Sequence, residues 1–313
     1  MKMYFMLLLC LSLLCTFVFG IVIAANDSTV VRVGIYENSP KIFTDEKGNA
    51  SGFWPDIIEY IASQEGWKIE YIHGTWDQCL QRLENNEIDM MPDVAYTEER
   101  DIPYDFSKEP VYTSWSMVYT KKRTDISTIP DLEGKNIAVL KGSVNFEGPD
   151  GIKALVSSFD IHCTFIEMDS YLKVFELVAN GKADGGVVSK DFGHLHGNDF
   201  NLKETTIIFQ PATLYFAFPT DSSLKPYLID RIDYHVRQMK EDGHSIYYQS
   251  LEKWLGVTRT AKHVTPEWLK WLFIGIGGLA LLLVGGNFIL RSRVRSKTKE
   301  QNFLRQEIGR AHV

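Results

Sequence analysis

The chain has 313 residues, 45% of them hydrophobic, with 40 acidic against 33 basic side chains and a formal net charge of −7. This acidity argues against an extended nucleic-acid surface, and the composition is that of a globular protein rather than a disordered or fibrous one. Four cysteines are too few for a disulfide scaffold.

Lys2 precedes an apolar run over residues 4–25 that closes on Ala24, Ala25 and Asn26. A basic start, an apolar stretch and a small-residue exit predict a secretory signal peptide. The length of the run leaves an uncleaved N-terminal anchor as the alternative. Cys10 and Cys15 lie inside this run without a convincing lipoprotein box, so no lipidation is expected. Residues 26–265 are then expected outside the cytoplasm, about 240 residues, enough for one two-lobed domain or two small ones. That segment holds only Cys79 and Cys163, both expected as packed small residues.

"VVRVGIY" at residues 30–36 is a short apolar strand. "FWPDIIEYIASQEG" predicts a helix with Pro55 near its first turn and Gly66 past its end. "KIEYI" is a strand. "TWDQCLQRLENN" follows with a capping box, Thr75 and Gln78, and a stop at Asn85 and Asn86. "EIDMMPDVAY" is a buried strand running into a loop. Such β-α-β-α-β order predicts a mostly parallel sheet with covering helices. A second block repeats the plan: strands at "NIAVL" and "CTFIEM", a helix at "SYLKVFELVANG" capped by Ser170, then "ADGGVV" and "LYFAFP" as strands. Two amphipathic helices, "YLIDRIDYHVRQMKEDG" and "SIYYQSLEKWLG", close it. Two α/β blocks with short crossings predict a hinged clamshell whose ligand gathers near the carboxyl ends of the strands.

Residues 271–290 contain no charged side chain, and at 1.5 Å per residue about 20 residues span the hydrocarbon layer. Trp268 and Trp271 sit at one margin; Arg291, Arg293, Arg295, Lys297 and Lys299 follow the other, which the positive-inside rule makes cytoplasmic. Gly275, Gly277, Gly278, Gly285 and Gly286 include no pair four apart, so the close-packing dimer motif is missing and a homodimer is left open. Residues 291–306 form a basic stalk. Residues 307–313, "EIGRAHV", match one frame of a widely used sequencing adapter, so they are expected to be foreign to the protein and the cytoplasmic region to be truncated.

The ordered pieces "GFWPDIIEYIA", "TWDQCLQRLENNEIDMMPDVAYTEERDIPYDFS", "IPDLEGKNIAVLKGS" and "MKEDGHSIYYQSLEKWLG" resemble the family 3 solute-binding proteins over residues 30–257. The resemblance implies the type II periplasmic-binding fold, an α/β two-lobed clamshell closing on a small ligand, with one lobe near 30–109 and 212–257 and the other near 110–211. It also implies that Arg100, whose planar fork suits a carboxylate, grips the ligand's α-carboxylate. From composition alone Arg100 could equally pair with Glu98, Glu99 or Asp101. Thr97, beside it in "TEER", belongs to the same expected site. Trp76 aligns with an aromatic wall for the ligand, or is a packed anchor. Gly142 and Ser143 follow a strand and open a helix whose N–H groups favour an anion; Gly148, Pro149 and Gly151 predict that this helix is short or broken. Asp56 is expected to act structurally in a first helical turn.

Two positions depart from the family. Ala95 stands where a Thr or Ser is usual, and Ser189 where an Asp usually pairs with an α-ammonium. Asp93 or Asp191 could take that role; otherwise the ligand is a small carboxylate or other polar anion. His194, His196 and Asp199 are expected in a solvated loop rather than a metal site. No cofactor and no catalytic motif is expected in this chain, although some relatives of the fold are dehydratases. The layout resembles the input half of a sensor kinase or cyclic-dinucleotide synthase; a tethered transporter component is the alternative, and an enzyme on the same fold the least favoured.

Overall fold

A computed structural model describes residues 28–257 and 267–310. The expected leader and the connector from 258 to 266 lie outside the described residues.

The first unit is α/β. Strand β1 (Val30–Ile35) pairs in parallel with β4 (Lys68–His73), and Gly34 N–H donates to Met90 O at 3.0 Å, bringing β5 (Met91–Ala95) alongside. Two short strands, β2 (Phe43–Thr44) and β3 (Ala50–Ser51), pair with each other. A mixed sheet then runs in the order β5, β11 (Leu202–Pro219), β7 (Tyr112–Lys121), β10 (Gly185–Ser189), β8 (Asn136–Leu140), β9 (Thr164–Met168), with β6 (Tyr104–Phe106) on β11. Strands β7 and β11 are antiparallel from Leu202 opposite Lys121 to Leu214 opposite Tyr112, with irregularities between Glu204 and Ile208 and between Phe209 and Ala212. Through them one sheet runs without a break from β5 to β9.

The helices form where the sequence caps them. Helix α1 (Phe53–Glu65) stops on Gly66, at φ 70°, whose N–H returns to Ala62 O. Helix α2 (Trp76–Glu84) carries the reciprocal Thr75–Gln78 box, at 3.3 and 3.0 Å. Gly148 and Gly151 split the next helical stretch into α3 (Val144–Glu147) and α4 (Ile152–Ser158). Ser170 caps α5 (Tyr171–Ala179), and Ser189 caps α6 (Lys190–His196). The chain closes with α7 (Lys225–Glu241) and α8 (Ile246–Leu255), which ends on Gly256 at φ 63°.

Three features differ from the sequence reading. Strand β11 begins twelve residues before "LYFAFP"; buried and more exposed residues alternate along most of it and only residues 216–219 are continuously buried, so only its end stands out as an apolar run. Strand β7 and helix α4 were not distinguished. His194 and His196 lie on helix α6 rather than in a loop, because the Ser189 hydroxyl accepts from Phe192 N–H and starts the turn.

The core holds Phe53, Trp54, Ile57, Phe216 and Phe218, all fully buried. Cys79 is packed there and burial pushes its thiol up to about 11, whereas Cys163 is half-buried against a second cluster around Val139 and Ile152. Asp56 accepts from Ser250 Oγ and Trp254 Nε1, each at 2.7 Å, and so ties α1 to α8. Glu65, at the other end of α1, accepts from Arg231 Nη2 at 2.7 Å and contacts His235 Nε2 at 2.6 Å. The Arg231 hydrogen bond is the largest influence holding the Glu65 carboxyl at about 2, below its ordinary 4.5. A depressed folded-state value stabilises the fold above the unfolded value and loses that contribution as pH falls. Glu65→Gln should therefore flatten the acid limb of stability between pH 4.5 and about 2. Parallel acid titrations of wild type and variant, followed by tryptophan fluorescence, check this, and identical acid limbs would contradict it.

The second unit is helix α9 (Glu267–Arg310). Its segment Trp268–Arg291 has 24 residues and a mean hydropathy of 2.1, long and apolar enough to cross a bilayer.

Candidate functional site

A cavity of about 450 Å³ opens where β1, β5, β8, β10 and β11 end or bend. Five of the seven sequence-predicted residues line it: Trp76, Asp93, Arg100, Ser143 and Ser189. The other two, Thr97 and Gly142, line an adjoining cavity of about 290 Å³ that shares Arg100 and Ser143.

Arg100 does not pair with its acidic sequence neighbours. Its Nη1 donates to Ala95 O at 3.1 Å and its Nη2 to Gly142 O at 2.9 Å, while the guanidinium lies 5.4 Å from the centre of the Trp76 ring. Thr97 shapes the approach: its carbonyl and hydroxyl both accept from Arg100 N–H, at 3.0 and 3.2 Å. Burial lowers the Arg100 pKa from its ordinary value, because a desolvated charge is disfavoured unless an anion faces it. Arg100 forms no ion pair among the described residues. Its two partners are uncharged carbonyls, so the charge itself is unanswered.

Trp76 opens α2 and is buried; its Nε1 donates to Gly142 O at 3.1 Å, and Tyr36 meets its face edge-on at 4.9 Å. It is thus a packed anchor that also lines the cavity. Gly142, at φ 67°, contributes its carbonyl to Trp76 and Arg100 together, tying the turn after β8 to α2 and to the loop after β5. The expected use of the N–H groups at this turn is only partly available. Ser143 N–H and Oγ both donate back to Leu140 O, at 3.3 and 2.7 Å, because the turn after β8 is tight.

Asp93 is fully engaged. Its side chain is inaccessible; Oδ1 meets Lys41 Nζ at 2.7 Å, and Oδ2 accepts from Tyr36 OH at 2.6 Å and Asn38 Nδ2 at 2.8 Å. Asp93 sits at φ 65°, in the left-handed region, in the middle of β5. Burial, then the Asp93 charge, push the Tyr36 phenol well up, so it stays a donor to that carboxylate. Asp191, the other sequence candidate, accepts from Tyr112 OH at 2.9 Å and Ser114 Oγ at 2.6 Å and does not line the cavity. Opposite lie Asn145, whose Nδ2 donates to Tyr171 OH at 2.6 Å, and Gln210, held at φ 49° in the irregular part of β11.

Tyr36, Asn38, Lys41, Asn145, Tyr171 and Gln210 were not anticipated. The first three follow the carboxyl end of β1, where strand-end logic could have found them. Tyr171 follows the Ser170 cap. Gln210 sits in an extended apolar stretch and carries no signal. Among the described residues no group of three or more His, Cys, Asp or Glu side chains could hold a metal ion.

Residues 31–257 match the model of the bacterial extracellular solute-binding proteins, family 3. The chain belongs to that family. A probable histidine-binding protein of Campylobacter jejuni is 27% identical over 237 residues, 73% of this chain and 86% of that relative. A probable amino-acid-binding protein of Bacillus subtilis is 29% identical over 134 residues, 42% of this chain and only 51% of its own length. Among solved structures, an ancestral arginine-binding protein bound to glutamine superposes with a TM-score of 0.64 at 26% identity, covering 73% of this chain and 98% of that one. A histidine kinase sensor domain with similarity to periplasmic binding proteins superposes at 0.63 and 19% identity, over 74% and 97%; at that identity the likeness is one of fold. The fold is therefore the type II periplasmic-binding clamshell, and residues 31–257 are a solute-binding domain.

Proposed function

We propose that this domain binds a small carboxylate-bearing ligand outside the cytoplasm, with Arg100 as its anion grip, and that binding is the input signal of a single-span receptor. The observation that carries the ligand class is the unanswered Arg100 charge: a buried guanidinium with two carbonyl partners and no carboxylate. A ligand carboxylate reaching the remaining guanidinium N–H groups would neutralise it with charge-assisted hydrogen bonds. Trp76 and Tyr36 form the apolar wall beside it, and the tie through Gly142 O means that ligand contacts and lobe closure share the same groups.

The receptor reading is supported by the apolar segment Trp268–Arg291 with Arg293, Arg295, Lys297 and Lys299 beyond it, and by the fold likeness to a kinase sensor domain. A membrane-tethered binding component of a transporter is favoured by two relatives named as amino-acid ABC transporter-binding proteins. Reading the gene past the codon for Gln306 separates them. An open frame into a kinase or nucleotide-cyclase domain supports the receptor; a stop beside a permease gene would replace it with the transporter. The ligand class is tested by calorimetry on the full chain in detergent micelles with a panel of small carboxylates. Binding of at least one is expected, and none binding would refute the carboxylate assignment.

A further inference from the structure

We propose that Lys41 makes this cavity selective for small hydroxy acids over the amino acids of the same skeleton. The inference rests on the carboxylate reading above and concerns what accompanies that carboxylate.

The cavity is lined by three charged side chains: Lys41, Asp93 and Arg100. Two cations face one carboxylate. Lys41 and Asp93 form a contact of 2.7 Å with side chains 4% and 0% exposed, and Tyr36 and Asn38 donate to the other carboxylate oxygen. An ammonium arriving at Asp93 would meet Lys41 at comparable range, so the attraction of one is offset by the repulsion of the other. No second carboxylate lines the cavity among the described residues: Asp191 is occupied by two hydroxyls, and Ser189 contributes a hydroxyl. The balance left over is Arg100 alone. A simple carboxylate neutralises it, whereas a zwitterion brings its own cation into a desolvated site and leaves the excess in place.

The uncharged groups name the substituent. Asn38 must turn Nδ2 toward Asp93, which leaves Oδ1 a buried acceptor without a partner among the described residues; Gln210 Oε1 is a second. An ammonium has three donors, and among the described residues the Lys41 side chain makes one hydrogen bond, to Asp93. A ligand hydroxyl accepts from Lys41 and donates to Asn38 or Gln210, satisfying both sides with no added charge.

The test is calorimetry on the full chain in detergent micelles with matched pairs: L-lactate and L-alanine, L-glycerate and L-serine, L-3-phenyllactate and L-phenylalanine. In the pairs that bind, the hydroxy acid should bind at least tenfold more tightly. Lys41→Gln keeps a donor for Asp93 but removes the cation, and should narrow that ratio at least tenfold. Should Lys41→Gln unfold, Ser189→Asp makes the same test by adding a carboxylate to the lining at a helix N-cap position that Asp suits. A wild type that binds the amino acid equally or more tightly overturns this inference and leaves the carboxylate reading standing. An unchanged ratio in a folded variant of either kind overturns the role of Lys41. No heat from any carboxylate of either series overturns the underlying reading itself.

Discussion

Arg100→Met is expected to weaken carboxylate binding by roughly 30-fold or more while leaving the domain as stable as the wild type, or slightly more so. The two effects separate because the guanidinium contributes differently to each. In the unliganded fold it is a desolvated cation whose partners are the Ala95 and Gly142 carbonyls, and burial already lowers its pKa. Removing it relieves that desolvation at the loss of two hydrogen bonds worth about 1.5–3 kcal/mol each when the donor is charged. Gly142 O keeps the Trp76 indole as a donor, so one of the two acceptors is not orphaned. In the complex, truncating one side of a buried charge pair costs about 2–5 kcal/mol, or roughly 30-fold to several thousand-fold in affinity. Arg100→Lys should fall between, since it keeps the charge and loses the fork. Parallel calorimetry and thermal unfolding of the three proteins check this. A variant that binds normally would show that Arg100 serves only to join the lobes.

The division between what the sequence shows and what it hides follows the range of the interactions. Helix limits were legible because their determinants are local: Gly66 and Gly256 adopt the left-handed conformation that ends α1 and α8, and Thr75 with Gln78 closes the start of α2. Five of the seven expected site residues gather in one cavity: Trp76, Arg100 and Ser143 follow strands and Ser189 ends β10, where open α/β sheets place ligands, while Asp93 lies within β5. Partner choice was not legible. Asp93 is 52 residues from Lys41, and nothing in either neighbourhood announces that the two meet. Asp56 is 198 residues from Trp254, yet its carboxylate rather than its place in the first helical turn is what fixes α8. Strand β7 was missed for a different reason. Its residues Tyr112–Lys121 mix Ser, Thr and Lys with aromatics, and they become a strand through pairing on both sides, with β10 and β11.

Asp93→Ala should be the most destabilising single change at the site, by about 3–5 kcal/mol, because it strands a buried cation. Lys41 is 4% exposed at its side chain, and among the described residues the only charge it pairs with is the Asp93 carboxylate at 2.7 Å. The same carboxylate holds Tyr36 OH and Asn38 Nδ2, so one truncation takes an acceptor from three buried donors, of which among the described residues only Asn38 Nδ2 keeps another, the Tyr36 hydroxyl at 3.3 Å. For a domain of about 230 residues that loss lowers Tm by roughly 6–20 °C, at about 2–4 °C per kcal/mol. The strained backbone gives no return: Asp93 sits at φ 65°, where alanine is less at ease than aspartate, so the cost is not relieved by the substitution. The double change Lys41→Met with Asp93→Asn separates charge from shape. It removes both ions and keeps an amide oxygen for Tyr36, and such replacement of a buried pair by neutral groups is often near neutral in stability. Recovery of most of the lost Tm in the double variant is the expected result. If the double variant is as unstable as Asp93→Ala, the stability at this point resides in the shape of the β5 backbone rather than in the ion pair, and the charge balance of the cavity would then have been set by function alone.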